Sequence, residues 1–127
     1  MKRSDVQSWL DRYVDAWRSS DPESIKNLFT EDAAYGFRPW QSEQATARGH
    51  DAIVAAWLDE DDPPGSWEAH YAPFAVEGDR AVATGISDYH TRGEGQGETY
   101  YNCFLLRFAD DGRCAEFNEF WMLRPES

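Results

Sequence analysis

Basic residues are scarce in this chain. Twelve Lys and Arg stand against 24 Asp and Glu, leaving a formal charge of −12. A surface of that sign repels phosphate, which excludes nucleic acid and anionic membranes as favoured partners. Cysteine is scarce as well, with Cys103 and Cys114 alone. They fall on neighbouring strands of a hairpin derived below, about six residues apart along it, or roughly 20 Å at about 3.3 Å per residue. A disulfide needs Cα atoms within about 7 Å, so two separate free thiols are expected, as a reducing compartment allows. Neither lies in a CxxC pair. The three histidines, His50, His70 and His90, show no HxxxH or HExxH spacing, and no metal site is expected. A nucleophile elbow, a P-loop and a dinucleotide fingerprint are missing too, so no cofactor is expected. No apolar run approaches the roughly 20 residues of a membrane helix. The start, Met1-Lys2-Arg3-Ser4-Asp5, leads into an amphipathic stretch rather than a signal-peptide core. A soluble, cytoplasmic protein is the expectation.

What the chain does have is aromatic bulk. Six Trp, six Tyr and seven Phe in 127 residues are far too many for a disordered acidic segment. The length suits one domain, residues 1–127, with a single core. Val6, Trp9, Leu10, Tyr13, Val14 and Trp17 recur on one helical face behind Ser4 and Gln7, whose spacing is that of a capping box. Ser19 and Ser20 end that helix. Asp21-Pro22 then opens a short second one, with Asp as cap and Pro in its first turn. A short strand is expected at residues 33–37 and a third helix at 50–58. Beyond the Pro-Pro-Gly break at 63–65 the period changes to two. Four extended runs follow, at 67–76, 80–90, 98–109 and 113–123, with hairpin signals in the Gly-rich stretch 93–97 and in Asp110-Asp111-Gly112. Helices first and an antiparallel meander after them is an α+β arrangement.

The last hairpin yields geometry. A two-residue turn at Asp111-Gly112 sets Phe104 opposite Glu119, Asn102 opposite Trp121 and Leu106 opposite Phe117. Because side chains alternate, Tyr100, Asn102, Phe104, Leu106, Phe117, Glu119 and Trp121 share one face. Tyr101, Cys103, Leu105, Asn118, Phe120 and Met122 share the other. Both faces carry large apolar groups, and the helices can cover only one. The uncovered face is expected to meet a partner, most simply a second copy of the chain.

Arg12-Tyr13-Val14-Asp15-Ala16-Trp17, the segment from Asp21 to Ala33, Gly49-His50-Asp51-Ala52-Ile53 and Phe108-Ala109-Asp110-Asp111-Gly112-Arg113 together resemble the nuclear transport factor 2-like superfamily, its SnoaL-like branch in particular. The resemblance covers nearly the whole chain. It implies a cone-shaped α+β barrel: three N-terminal helices on a strongly curved, mostly antiparallel sheet around a deep pocket, with dimers forming through the convex sheet face. Activities in the superfamily include ketosteroid isomerase, polyketide cyclase, dehydratase and epoxide hydrolase, and other members only bind ligands. Fold does not fix function here. Set beside the ketosteroid isomerases, Tyr13 matches their oxyanion-donating tyrosine, while Phe37 stands where the general-base Asp would be and Phe104 where a protonated Asp would be. Trp57 and Trp121 match a helical Tyr and a pocket Trp. A phenyl ring neither abstracts a proton nor donates to an enolate, so that isomerase mechanism is disfavoured.

The resemblance also makes the Asn102/Glu119 face the concave one, with Thr84, Ile86 and Asp88 pointing inward beside it. Glu119, ringed by Phe104, Phe117 and Trp121, is expected to have a raised pKa and to act as general acid or base; an ion pair with Arg38, Arg92 or Arg124, or hydrogen bonding that only completes the pocket floor, is the alternative. Asp88 either shares the acid and base roles or is a solvated strand end. Tyr13 stabilises negative charge or is a hydrogen-bonded core phenol. Asn102 recognises a carbonyl or hydroxyl, or struts the backbone. Trp17, Phe37, Trp57, Thr84, Ile86, Tyr100, Phe104, Phe117 and Trp121 complete the expected wall, with Trp40 as a lid over the mouth or a subunit contact. The facing of His70 and His90 stays open. The expected ligand is small, mostly apolar and ring-containing, handled either by cofactor-free isomerisation, cyclisation or dehydration or by binding alone.

Overall fold

The computed structural model describes residues 1–36, 46–59, 65–90 and 97–125. Helix α1 (Arg3–Ser19) is followed by α2 (Pro22–Leu28), β1 (Phe29–Gly36), β2 (Ala47–Arg48), α3 (His50–Asp59), β3 (Trp67–Glu77), β4 (Arg80–Tyr89), β5 (Glu98–Phe108) and β6 (Cys114–Leu123). The six strands form one sheet in the order β2-β1-β6-β5-β4-β3. It does not close on itself, so β2 and β3 are its edges. Three helices on a mixed sheet fulfil the α+β expectation. The mixture comes from β1, which runs parallel to β6 and antiparallel to β2. Phe37 and Trp40 lie outside the described residues.

Helix α1 begins earlier than the expected Ser4 cap. Lys2 is the N-cap, and its backbone N–H donates to the Asp5 carboxylate at 2.9 Å. Gln7 is thereby released from the cap and serves elsewhere. Its amide donates to the carbonyl of Tyr71 at 3.1 Å, and Arg3 donates to the carbonyl of Pro73 at 2.6 Å. Both carbonyls belong to the edge strand β3, so α1 covers an edge that would otherwise be open to another chain. At its far end Ser20 adopts a left-handed conformation (φ 54°) and returns its N–H to Ala16.

The inward face of α1 (Val6, Trp9, Leu10, Tyr13 and Ala16) is buried against the sheet. Trp9 sits at the centre, in ring contact with Tyr13, Phe29, Phe108 and Phe117, and donates its indole N–H to the carbonyl of Leu28 at 2.9 Å. Each such ring contributes on the order of 2–3 kcal/mol by its burial. The cysteines are free, Cys114 buried and Cys103 half-buried.

The last hairpin pairs Phe104 with Glu119, Asn102 with Trp121 and Leu106 with Phe117, as the sequence indicates. The turn itself differs. Ala109 pairs with Arg113 around a three-residue loop, Asp110 to Gly112, with Gly112 at φ 86°. A bulge between Arg107 and Phe108 in the ladder then restores the expected register.

Candidate functional site

Two polar side chains are buried among the described residues, Ser87 at 3% exposure and Asn102 at 7%. Buried polar groups need partners, and these two supply each other. Ser87 Oγ donates to Asn102 Oδ1 at 2.8 Å, and Asn102 Nδ2 donates to Glu119 Oε2 at 2.6 Å. On the other side the Tyr71 hydroxyl bonds Ser87 Oγ. The result is a chain of hydrogen bonds stepping across four adjacent strands, from Tyr71 on β3 through Ser87 on β4 and Asn102 on β5 to Glu119 on β6. Gly85, opposite both Tyr71 and Asn102, makes room for it. A Cβ there would lie 2.4 Å from Tyr71 Cδ1 and 2.0 Å from the His70 carbonyl.

Glu119 is half-buried, directly across from Phe104. Around it stand phenols. Tyr13 is buried, stacks on Phe117 (ring centroids 5.5 Å) and is hydrogen-bonded to Tyr35. Burial pushes its pKa well up, and Tyr35, Glu119 and Tyr71 push it further. Burial likewise pushes Tyr71 up, the Ser87 bond opposing and Glu119 adding to the shift. Both phenols therefore stay neutral and able to donate at physiological pH. Beyond Glu119 an aromatic row runs along the open end of the same face: Trp17 stacked on Trp67 at 3.6 Å and tilted against Tyr89 at 6.0 Å, then Tyr89, Tyr100 and Trp121 in edge contacts of 5.7 and 5.5 Å. Trp121 is 45% exposed.

Tyr13, Asn102, Phe104, Phe117 and Glu119 are thus brought together on one side of the sheet, with Trp57 in edge contact with Tyr13. Tyr100 and Trp121 lie at its rim. Trp17 joins that rim through Tyr89 rather than the Tyr13 cluster. Phe104 and Phe117 are fully buried in contact with each other, so they are core as well as wall.

Thr84, Ile86 and Asp88 are a correction. All three are exposed, on the face opposite Asn102, and Asp88 accepts a hydrogen bond from Thr99 instead of sharing a cavity with Glu119. The inward residues of β4 are Ala81, Ala83, Gly85 and Ser87. Their face follows from the β4–β5 pairing, which sets Ala83 opposite Phe104, Gly85 opposite Asn102 and Ser87 opposite Tyr100. These inward residues are small and the outward ones of β4 bulky, so side-chain bulk does not mark the covered side of this strand. Gly85, Ser87 and Tyr89 escape the sequence reading for the same reason, Tyr71 because a bulge between Pro73 and Ala75 shifts β3, and Tyr35 because it pairs in parallel with Phe117. The signal available was Gly85, a glycine inside a strand, which marks a close approach. His70 is exposed on the outer face, paired with Ile86, and His90 is exposed at the end of β4. His50 bonds the carbonyl of Phe29 through Nε2 at 2.8 Å.

A separate groove of about 330 Å³ opens between α1 and β3. Gln7, Asp11, Asp15 and His70 line it, and it shares only Tyr71 with the polar chain.

Among solved structures, an NTF-2-like protein of unknown function from Burkholderia xenovorans superposes with a TM-score of 0.71 at 13% identity, over 100% of this chain and 90% of that one. An LEH-like epoxide hydrolase from M. tuberculosis superposes with a TM-score of 0.66 at 11% identity, over 94% and 84%. At such identities the likeness is one of fold. No curated protein matches the sequence. The model of the SnoaL-like domain matches residues 10–117, and the chain belongs to that family.

Proposed function

We propose that this protein binds a small, mostly apolar, ring-containing molecule at the Glu119 end of the concave face and moves a proton on it without a cofactor, in an isomerisation, cyclisation or dehydration. The observation that carries this function is the 2.6 Å bond from Asn102 to a half-buried Glu119 beside the neutral phenols Tyr13 and Tyr71. A carboxylate held in one orientation is suited to take up and return a proton. The neutral Tyr13 phenol beside it is suited to an oxygen that gains negative charge. Tyr100 and Trp121 offer flat faces to a ring, and the charge of −12 selects against anions.

Turnover of cyclic enones and β-hydroxy ketones tests this, with small epoxides added because one structural relative is an epoxide hydrolase. Glu119→Gln is expected to lower turnover by about 10²–10⁴-fold with little change in melting temperature. Full activity in that variant overturns the function. Binding without catalysis is the second possibility, favoured by how completely Phe104 and Phe117 fill the interior. Its mark is saturable quenching of Trp fluorescence by these compounds with no turnover.

A second copy of the chain is the proposed partner, through the outer sheet face. Tyr101, Leu105 and Met122 are exposed there at 45%, 42% and 63%, with Ile86 beside them at 41%. Sedimentation at micromolar concentration is expected to show a dimer that Leu105→Lys dissociates, and a monomeric wild type removes the proposal.

A further inference from the structure

The chain from Tyr71 to Glu119 has a direction. A carboxamide has one end that only accepts and one that only donates. With Oδ1 taken by Ser87 and Nδ2 on Glu119, Asn102 fixes the sense of every bond in the row. Ser87 spends its proton on Asn102, so its oxygen must accept from the Tyr71 hydroxyl. All donors point toward Glu119, which accepts.

The same four groups have a second, reversed arrangement. With a proton on Glu119, the carboxyl donates to Asn102 Oδ1, the turned amide donates to Ser87, and Ser87 donates to Tyr71. Passing from one to the other requires the amide of Asn102 to turn over where it is 7% exposed. Removing the Ser87 hydroxyl would free the amide to take either sense. We propose that Ser87 and Tyr71, seated by Gly85, are positioning residues that hold the Asn102 NH₂ on Glu119 and so keep Glu119 as a hydrogen-bond acceptor, the resting form of a base. This deepens the proposed function and rests on it for the role of Glu119. Buried hydrogen-bond chains are costly when incomplete, and apolar side chains would fill these β4 and β5 positions without that cost. Among the described residues, the titratable groups on the same side are Tyr13 of α1, Tyr35 of β1, Tyr71 of β3, Tyr89 of β4, and Tyr100 and Glu98 of β5, whose carboxylate accepts from Tyr100 at 2.9 Å.

Side-chain NMR tests the proposal without a substrate. In the wild type the Asn102 NH₂ protons are expected to exchange slowly with water. In Ser87→Ala their exchange is expected to quicken at least tenfold, and the Glu119 carboxyl carbon to titrate at higher pH. Ser87→Thr restores both, and Tyr71→Phe moves both in the direction of Ser87→Ala by less. Unchanged exchange and an unchanged Glu119 titration in folded Ser87→Ala overturn the positioning role. Should Ser87→Ala fail to fold, Tyr71→Phe supplies the same two readouts, and unchanged values there overturn the role equally. The two levels separate cleanly. Loss of turnover in Glu119→Gln with no NMR effect in Ser87→Ala leaves the function standing and removes the chain, and the converse leaves the chain and removes the function.

Discussion

A methyl group added at Gly85 would stand 2.0 Å from the His70 carbonyl oxygen and 2.8 Å from Tyr71 Cα, both of them backbone atoms of β3. Neither can swing aside as a side chain could, so β3 itself must move. Gly85→Ala is therefore expected to cost about 3 kcal/mol, at the upper end of overpacking, and to part Tyr71 from Ser87. The shift of the urea midpoint measures it, with Thr84→Ala on the outer face as a control expected within about 0.5 kcal/mol. A Gly85→Ala midpoint equal to that of the control would show that the strand yields freely. Glycine reveals a need for space but not whose ring needs it. That is why Glu119 and Asn102 were legible in the sequence while Ser87 and Tyr71 were not. The first two follow from a turn that the residues Asp111 and Gly112 announce. Ser87 lies on a strand whose inward side chains from Ala81 to Ser87 are all small, so no apolar alternation marks its face, and Tyr71 lies beyond a bulge beside Pro73, where the register no longer follows from the turn.

At the scale of elements the same contrast recurs. The expected two-residue turn at Asp111-Gly112 is a three-residue loop, and by itself this would displace every pair by one. The bulge between Arg107 and Phe108 displaces them back, so the faces of β5 and β6 come out as the alternation of apolar side chains requires. Burial of Phe104, Leu106 and Phe117 outweighs the detail of the turn. Strand β4 has no such bias. Its outward residues Val82, Thr84 and Ile86 are bulkier than its inward Ala81, Ala83, Gly85 and Ser87. The inward side must stay small because the rings of Tyr13, Tyr71 and Phe104 already occupy the space beneath it. The helices were legible in their apolar period and in the Asp21-Pro22 start. The parallel pairing of β1 with β6 was not, because it joins segments about 80 residues apart through backbone bonds that leave no pattern in the side chains.

For the whole molecule, the groups sealed in the core set a limit on the alkaline side. Burial pushes the Cys114 thiol up from 9.0 to about 12, and it pushes the Tyr13 and Tyr71 phenols up from 10.0. Unfolding returns all three to ordinary values, so between the two pKa values the unfolded chain holds fewer protons than the folded one. The stability they confer is complete below pH 9 and declines as pH rises through the folded values. The decline begins with Cys114 near pH 9, at up to about 1.4 kcal/mol per pH unit, and steepens above pH 10 as the phenols join. Urea midpoints measured from pH 7 to 11 are expected to stay level to about pH 8.5 and then to fall. Cys114→Ala delays the onset toward pH 10, and Tyr71→Phe makes the later part shallower. The charge of −12 offers a rival cause, since self-repulsion also grows with pH. Salt separates the two. At about 1 M the Debye length shrinks to about 3 Å and surface repulsion is screened, whereas groups sealed in the core keep their linkage. An alkaline decline that survives high salt and loses its first step in Cys114→Ala belongs to the core. One that salt abolishes belongs to the surface, and the buried thiol and phenols then contribute nothing to it.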